Sequence, residues 1–466
     1  MKILHVLANS SPDVNGYAVR TQMLLKYQSE LEEIENLGLT SPWYPDRESM
    51  VDEYEMDGVQ YLRTLHPSRK KNSKISHKLV RLFTRKQVEE TIVDSSVSPT
   101  QKTLLLRIFD FFYFGVFKIG RAIRHFFRIG WKVIEEKILI RYFTKRILEV
   151  AKLHNVDIIH AHTPYRVGLP ALKAARKLNL PFVYEMRGMW EETAVANGRW
   201  MRNGPAYRRF QHYETRVLRK ADAVICISET LKKEAISRGV EAEKITLVTN
   251  AVERKIIDMN EESSLYQTAI TRLNRDKQTC VIGYIGSLRA MEGVDLTAKA
   301  VARVIENGHN VRFLVLTGQS GQNELQQLCS SLGIEKSTVI LGPVPHEKVA
   351  SFYSLIDIFV VSRPNSRVTQ LVTPLKPFEA MAMSRAVIAS KLSALEEIIE
   401  HEKTGLLYQP DDLDDLTRVI ERCIQDPSLR EQLGQAACEW VLQNRTWESV
   451  VKKTLDAYEL SKQNWR

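Results

Sequence analysis

Short apolar, β-branched runs recur along the chain, each followed by a loop rich in glycine, proline or asparagine and then by an amphipathic stretch. Residues 2–8 (KILHVLA), 35–40, 58–65, 156–161, 180–185, 223–228 and 245–249 are such runs in the first half. Residues 280–285, 311–318, 339–342, 356–363, 386–390 and 406–408 are their counterparts in the second. Unbroken apolar runs of this length, bounded by breakers, predict strands buried on both faces of a parallel sheet. Helical spacing over 18–30, 205–220, 229–239, 323–333, 413–425 and 427–443 supplies the crossovers. The expected fold class is α/β, with two doubly wound Rossmann-like domains facing a cleft. Expected boundaries are 1–253 for the first domain, 254–277 for a polar linker and 278–445 for the second. Residues 446–466 form a C-terminal helix that could pack back on the first domain.

At 466 residues the chain is long for one core, which agrees with two domains. Five scattered cysteines without a CxxC pair argue against a disulfide framework or a thiolate zinc site and fit a reducing compartment. The net charge of +10 points to an anionic partner, and it is concentrated. Between His66 and Val150 there are 19 lysines and arginines against 7 acidic residues. From 103 to 142 aromatic and aliphatic clusters interleave with Arg107, Lys118, Arg121, Arg124, Arg128, Lys132 and Arg141. Arg107, Asp110 and Lys118 break the apolar stretch too often for a spanning helix. A basic amphipathic insertion at 66–145, lying on an anionic membrane surface, is the expectation, with packing on the domain and basic residues facing water as the alternative. The segment lacks a nucleic-acid reading motif, so no nucleic acid is expected.

Candidate chemistry gathers where strands end, because ligands of open parallel sheets bind beyond the carboxyl ends of the strands. His162 and Arg187 stand at two such ends. Gly16, in the loop after the first strand, suits either a ligand approaching the backbone or a plain turn. Its loop is not GxGxxG, which removes the dinucleotide fingerprint. Gly286 and Arg289 belong to a second glycine loop, GSLRAMEG. The stretch VTPLKPFEAMAMSRAVIAS (372–390) reads as loop, helix and strand, with Lys376 and Glu379 at the helix start. A lysine and a carboxylate there suit a phosphate and a sugar hydroxyl, although Glu379 also favours a first helical turn without any ligand.

Jointly, HVLANSSPDVNGYAVRT, DIIHAHTPYRVGLPAL, VYEMRGMWEETAV, ITLVTNAV, GYIGSLRAMEGVDL, GPVPHEKV, VTPLKPFEAMAMSRAVIAS and EHEKTGLL resemble a family-4 type retaining glycosyltransferase of the GT-B fold. The match is nearest to the exopolysaccharide-associated (PEP-CTERM/exosortase-associated) bacterial branch. The resemblance implies a nucleotide-sugar donor, UDP- or GDP-linked, no other cofactor and no essential metal. It implies a lipid-linked or polysaccharide acceptor and a cytoplasmic enzyme peripheral on the inner face of the cell membrane. Residue by residue, it implies Glu379 on the ribose, Lys376 on the diphosphate and Gly16 beside it, His162 near the reacting sugar, and Arg187 on the acceptor side. The pattern departs from the family at three places. The first of two glutamates with seven residues between them is Leu371, and the cations of the second glycine loop are Ser287 and Glu292. Lys376, Arg289 and Arg363 or Arg367 are the expected substitutes. Ser384 also stands where glycine is frequent. A silent nucleotide-sugar-binding protein and a nucleotide-sugar epimerase are the alternatives.

Overall fold

A computed structural model describes residues 1–10, 16–44, 53–67, 132–258, 263–345 and 348–465. Two parallel sheets dominate it. The first contains β1 (Lys2–Leu7), β2 (Glu35–Thr40), β3 (Glu53–Met56), β4 (Val59–Leu62), β5 (Ile158–His162), β6 (Phe182–Met186), β7 (Ala223–Cys226) and β8 (Ile245–Leu247). Their order is β3-β4-β2-β1-β5-β6-β7-β8, with β3 alone antiparallel to its neighbour. The second contains β9 (Cys280–Ile285), β10 (Val311–Leu316), β11 (Thr338–Leu341), β12 (Ile358–Val361), β13 (Ala386–Ser390) and β14 (Leu406–Tyr408), ordered β11-β10-β9-β12-β13-β14. The central strands are buried along their length, as runs such as CVIGYI and AVIAS require when helices cover both faces. In both sheets the order reverses beside the first strand of the domain, and the crevice at such a switch point is where open α/β sheets bind ligands.

Three stretches differ from the sequence expectation. Residues 254–277, expected as the linker, contain a helix, Ser264–Leu273, that buries Tyr266, Ala269 and Leu273 in the core of the second domain. The spacing of those three residues is helical, but polar neighbours mask it. Most of the basic insertion lies outside the described residues. Its described end belongs to a helix over 132–153, whose Leu139, Ile140, Phe143 and Ile147 are buried in the first domain. Glu136 on that helix bonds Tyr165, Arg166 and Arg209, so this end packs on the domain. Ser366 caps a short helix, Arg367–Leu371, between the expected strand 356–363 and the stretch 372–390.

The C-terminal helix Lys453–Asn464 packs beside β6, β7 and β8 of the first sheet. Its Tyr458 bonds both Gln28 and His160, and Asn464 donates to the Asp222 carbonyl. Among the described residues no helix is long and apolar enough to cross a membrane.

Candidate active site at the domain junction

The helix Lys376–Ala382 begins with Pro377 in its first turn, where a missing N–H costs nothing. It is only seven residues long, so positive charge here rests on Lys376 itself more than on a helix dipole. Lys376 Nζ lies 2.9 and 3.1 Å from the Glu379 carboxylate oxygens, and Tyr353 Oη donates to Glu379 at 2.9 Å. Burial first, then the Glu379 charge, raises the Tyr353 phenol well above its ordinary value and keeps it a donor. First-domain loops meet this segment. A Cβ on Gly16 would lie 3.9 Å from Leu375 Cδ1, and one on Gly188 would lie 3.8 Å from Val372.

The second glycine loop is held against β12. Gly293 has a positive φ of 68°, and a Cβ there would lie 1.9 Å from the Ser362 carbonyl, so only glycine fits. Beside it Glu292 sits between Arg363, at 3.3 Å, and Arg289, at 3.6 Å. Arg363 is buried and donates to the Val372 carbonyl at 2.8 Å. The side chain of Arg289 is 55% exposed, bonded to Ser287 Oγ, and follows Gly286 in the same loop. The carboxylate at 292 is therefore offset by two arginines from other positions.

Arg367 does not join them. Its guanidinium crosses to the first domain, 3.2 Å from Glu192 and 2.8 Å from Glu234, which corrects its expected place at the phosphates. Leu371 packs against the first domain's core, and its carbonyl accepts from Ser228 Oγ and Thr230 Oγ1. The position of the missing glutamate thus serves a contact between domains.

His162 and Arg187 are both buried, and they meet in one cluster. Arg187 donates to Glu185 through Nε at 2.8 Å, to Thr21 Oγ1 and to the Tyr17 carbonyl. His162 Nδ1 lies 2.5 Å from both Glu185 Oε2 and Arg187. Its Nε2 faces His5 Nδ1 at 3.0 Å, and His5 Nε2 faces Asn36 Oδ1 at 3.0 Å. Burial, and after it Arg187, lowers the His162 pKa to about 4, so the ring is neutral at pH 7. Asn36 Nδ2 in turn donates to the Leu25 carbonyl. Burial alone would raise the Glu185 carboxyl, but Arg187 and Arg20 outweigh it and hold it well below the usual range.

Nitrogens of His5, His160 and His162 lie within 4.8 Å of one another. Arg20 and Arg187 place two positive charges beside them, which opposes a cation there. His5, Arg20, His160, Glu185 and Asn250 were not singled out from the sequence. A charged or polar residue inside an apolar strand, as in KILHVL and FVYEM, is the signal that marks two of them.

Residues 77–255 match the Glycosyltransferase Family 4 model and residues 267–440 the Glycosyl transferases group 1 model. The chain is a GT-B glycosyltransferase of these groups. It is 23% identical over 325 residues to an uncharacterised glycosyltransferase of Methanocaldococcus jannaschii, covering 67% of this chain and 78% of that one. It is 23% identical over 357 residues to a D-inositol 3-phosphate glycosyltransferase of Thermobifida fusca, covering 73% and 79%. Among solved structures, sucrose-phosphate synthase from Thermosynechococcus elongatus superposes with a TM-score of 0.68 at 16% identity, covering 98% of each chain. HepE from Anabaena in complex with UDP-glucose superposes with a TM-score of 0.63 at 15% identity, covering 98% of this chain and 99% of that one.

Proposed function

We propose that this glycosyltransferase moves a sugar, with retention, from a UDP- or GDP-linked donor to a lipid-linked or polysaccharide acceptor in cell-surface polysaccharide synthesis. The observation that carries this reading is the Lys376–Glu379 pair, which follows the Val372–Leu375 stretch that the Gly16 and Gly188 loops meet. In the free enzyme each charge satisfies the other. A bound sugar nucleotide offers both a better partner, its ribose hydroxyls to Glu379 and its diphosphate to Lys376. Arg289, beside Gly286, supplies a second cation to the diphosphate. As the diphosphate leaves it gains negative charge, and fixed cations lower that barrier. HepE, which shares the fold, was captured with UDP-glucose, and this supports a sugar nucleotide as donor. Nothing in this scheme calls on a metal.

Turnover of UDP-glucose and GDP-mannose by the full chain tests the reading. Activity with one of them that is abolished by Lys376→Ala and by Glu379→Ala is the expected result. Turnover undiminished in both variants sinks it.

The proposed site of action is the cytoplasmic face of the membrane, reached through the basic segment 66–145. Half-exposed Ile134 and Ile138 lie beside exposed Lys137, Arg141 and Lys145 on the described end of that segment, which favours an anionic surface. Residues 132–145 also belong to the core helix, so the informative deletion is 70–131. Loss of co-sedimentation with anionic vesicles at low salt is expected, and retention would rule the segment out as the anchor.

A further inference from the structure

We propose that Glu185 is a positioning residue that ties the His162–Arg187 cluster to the loop carrying Lys376. This inference rests on the donor-site reading above and assigns a part to a side chain that would touch neither sugar nor phosphate. Glu185 Oε2 faces Arg187 and His162, as described, while Oε1 accepts from Arg20 at 2.6 and 3.0 Å. Arg20 also donates to the carbonyls of Val248 at 2.6 Å and Thr249 at 3.0 Å, and to Asn250 Oδ1 at 3.1 Å. Asn250 Nδ2 then donates to the carbonyl and hydroxyl of Thr373, at 3.1 and 3.2 Å. Thr373 lies on the loop that leads to Lys376.

The path is continuous and buried at every member. One carboxylate, one guanidinium and one amide join β6 to the second domain. Its geometry is fixed because separating either buried ion pair leaves an uncompensated charge. Trp447 adds to this from the C-terminal segment, with the Arg20 guanidinium 5.5 Å from its ring centroid. A displacement of the Thr373 loop therefore moves Asn250 and Arg20, and with them the carboxylate that orients Arg187 and His162. Since a misplacement of about 1 Å far from the reacting atoms can cost roughly 100-fold in rate, the carboxylate is expected to matter for kcat. UDP affinity, supplied by second-domain residues, is expected to stay as it is.

The test uses the full chain as Glu185→Gln, Glu185→Asp and Asn250→Ala, with UDP-glucose and GDP-mannose turnover and calorimetric UDP binding. Glu185→Gln is expected to lower kcat roughly 100-fold with KM and UDP affinity unchanged, and Glu185→Asp to recover part of the loss. Asn250→Ala leaves the ion pairs in place and cuts the link to Thr373, so it lowers kcat in the same way even if Glu185→Gln does not fold. Wild-type kcat in Asn250→Ala, or UDP affinity falling in step with kcat in the variants that fold, overturns the inference. A wild-type chain that neither binds UDP nor turns over either sugar nucleotide overturns the donor-site reading and this inference together. Turnover that survives all three variants overturns this inference alone.

Discussion

On the first-domain side of the junction, His162, Glu185, Arg187 and Arg20 are each no more than 4% exposed and are bonded to one another. On the second-domain side, the Lys376 side chain keeps 29% of its surface in solvent, and its carboxylate partner lies on its own helix. The first arrangement has spent its hydrogen bonds internally, so its value lies in holding a geometry. The second keeps its lysine open to solvent, where it can exchange its carboxylate partner for another anion. The contrast separates residues that bind from residues that position, and it can be broken experimentally from either side.

The largest effect is expected at the buried side. Glu185→Ala leaves Arg20 and Arg187 without their carboxylate, and breaking such a pair costs about 3–5 kcal/mol. Urea unfolding of the variant measures it, and a loss below about 1 kcal/mol would show that the cluster is not held as described.

Acid should act on the same region. Burial, then neighbouring His162, holds His5 well below its ordinary value, and His160 is lowered for the same reasons. With all three folded pKa values depressed, the unfolded chain binds protons that the native one does not once pH falls below about 6.5. Stability is thus intact above that value and declines below it, at up to about 1.4 kcal/mol per histidine for each pH unit. Glu214 works in the opposite sense. Burial, then Glu191, raises it to about 7, so its contribution is lost as pH rises through 7. Thermal midpoints across pH 5–8 should fall on the acid side in the wild type, and Glu214→Gln, which removes the opposing slope between 4.5 and about 7, should steepen that fall. Midpoints that do not change between pH 7 and pH 5 would contradict buried neutral histidines.

The smallest effect belongs to the bridge between domains. Arg367 is 44% exposed, and Glu192 and Glu234 keep Tyr207, Arg202 and Arg238 as partners without it. Arg367→Ala should therefore cost about 0.5–1 kcal/mol and leave UDP affinity unchanged, by thermal shift and calorimetry. A tenfold loss of UDP affinity would return Arg367 to the phosphates.

The two sheets were legible because their strands are unbroken apolar runs, and such runs carry little ambiguity when breakers flank them. Helix Ser264–Leu273 was not, since three buried positions in a polar stretch leave a weak periodic signal. Residue types at strand ends told where chemistry could gather but not which way a side chain turns. His162 and Arg187 turn inward because Glu185 faces them across the β5–β6 register, in which His162 pairs with Glu185. Arg367 turns to the first domain because Glu192 and Glu234, far away in sequence, converge on it. Those outcomes depend on pairings in space, which spacing along one chain does not encode. The departures at Leu371 and Glu292 were visible as letters, while their consequences, an interdomain contact and a carboxylate held by two arginines, required the fold.

Calorimetric titration of UDP into the wild-type chain, Lys376→Ala and Glu379→Ala tests the central claim most directly. Saturable binding by the wild type, weakened at least roughly tenfold by either substitution, a loss of about 1.4 kcal/mol, is the predicted result. Equal binding by all three proteins would place the donor elsewhere and contradict the account.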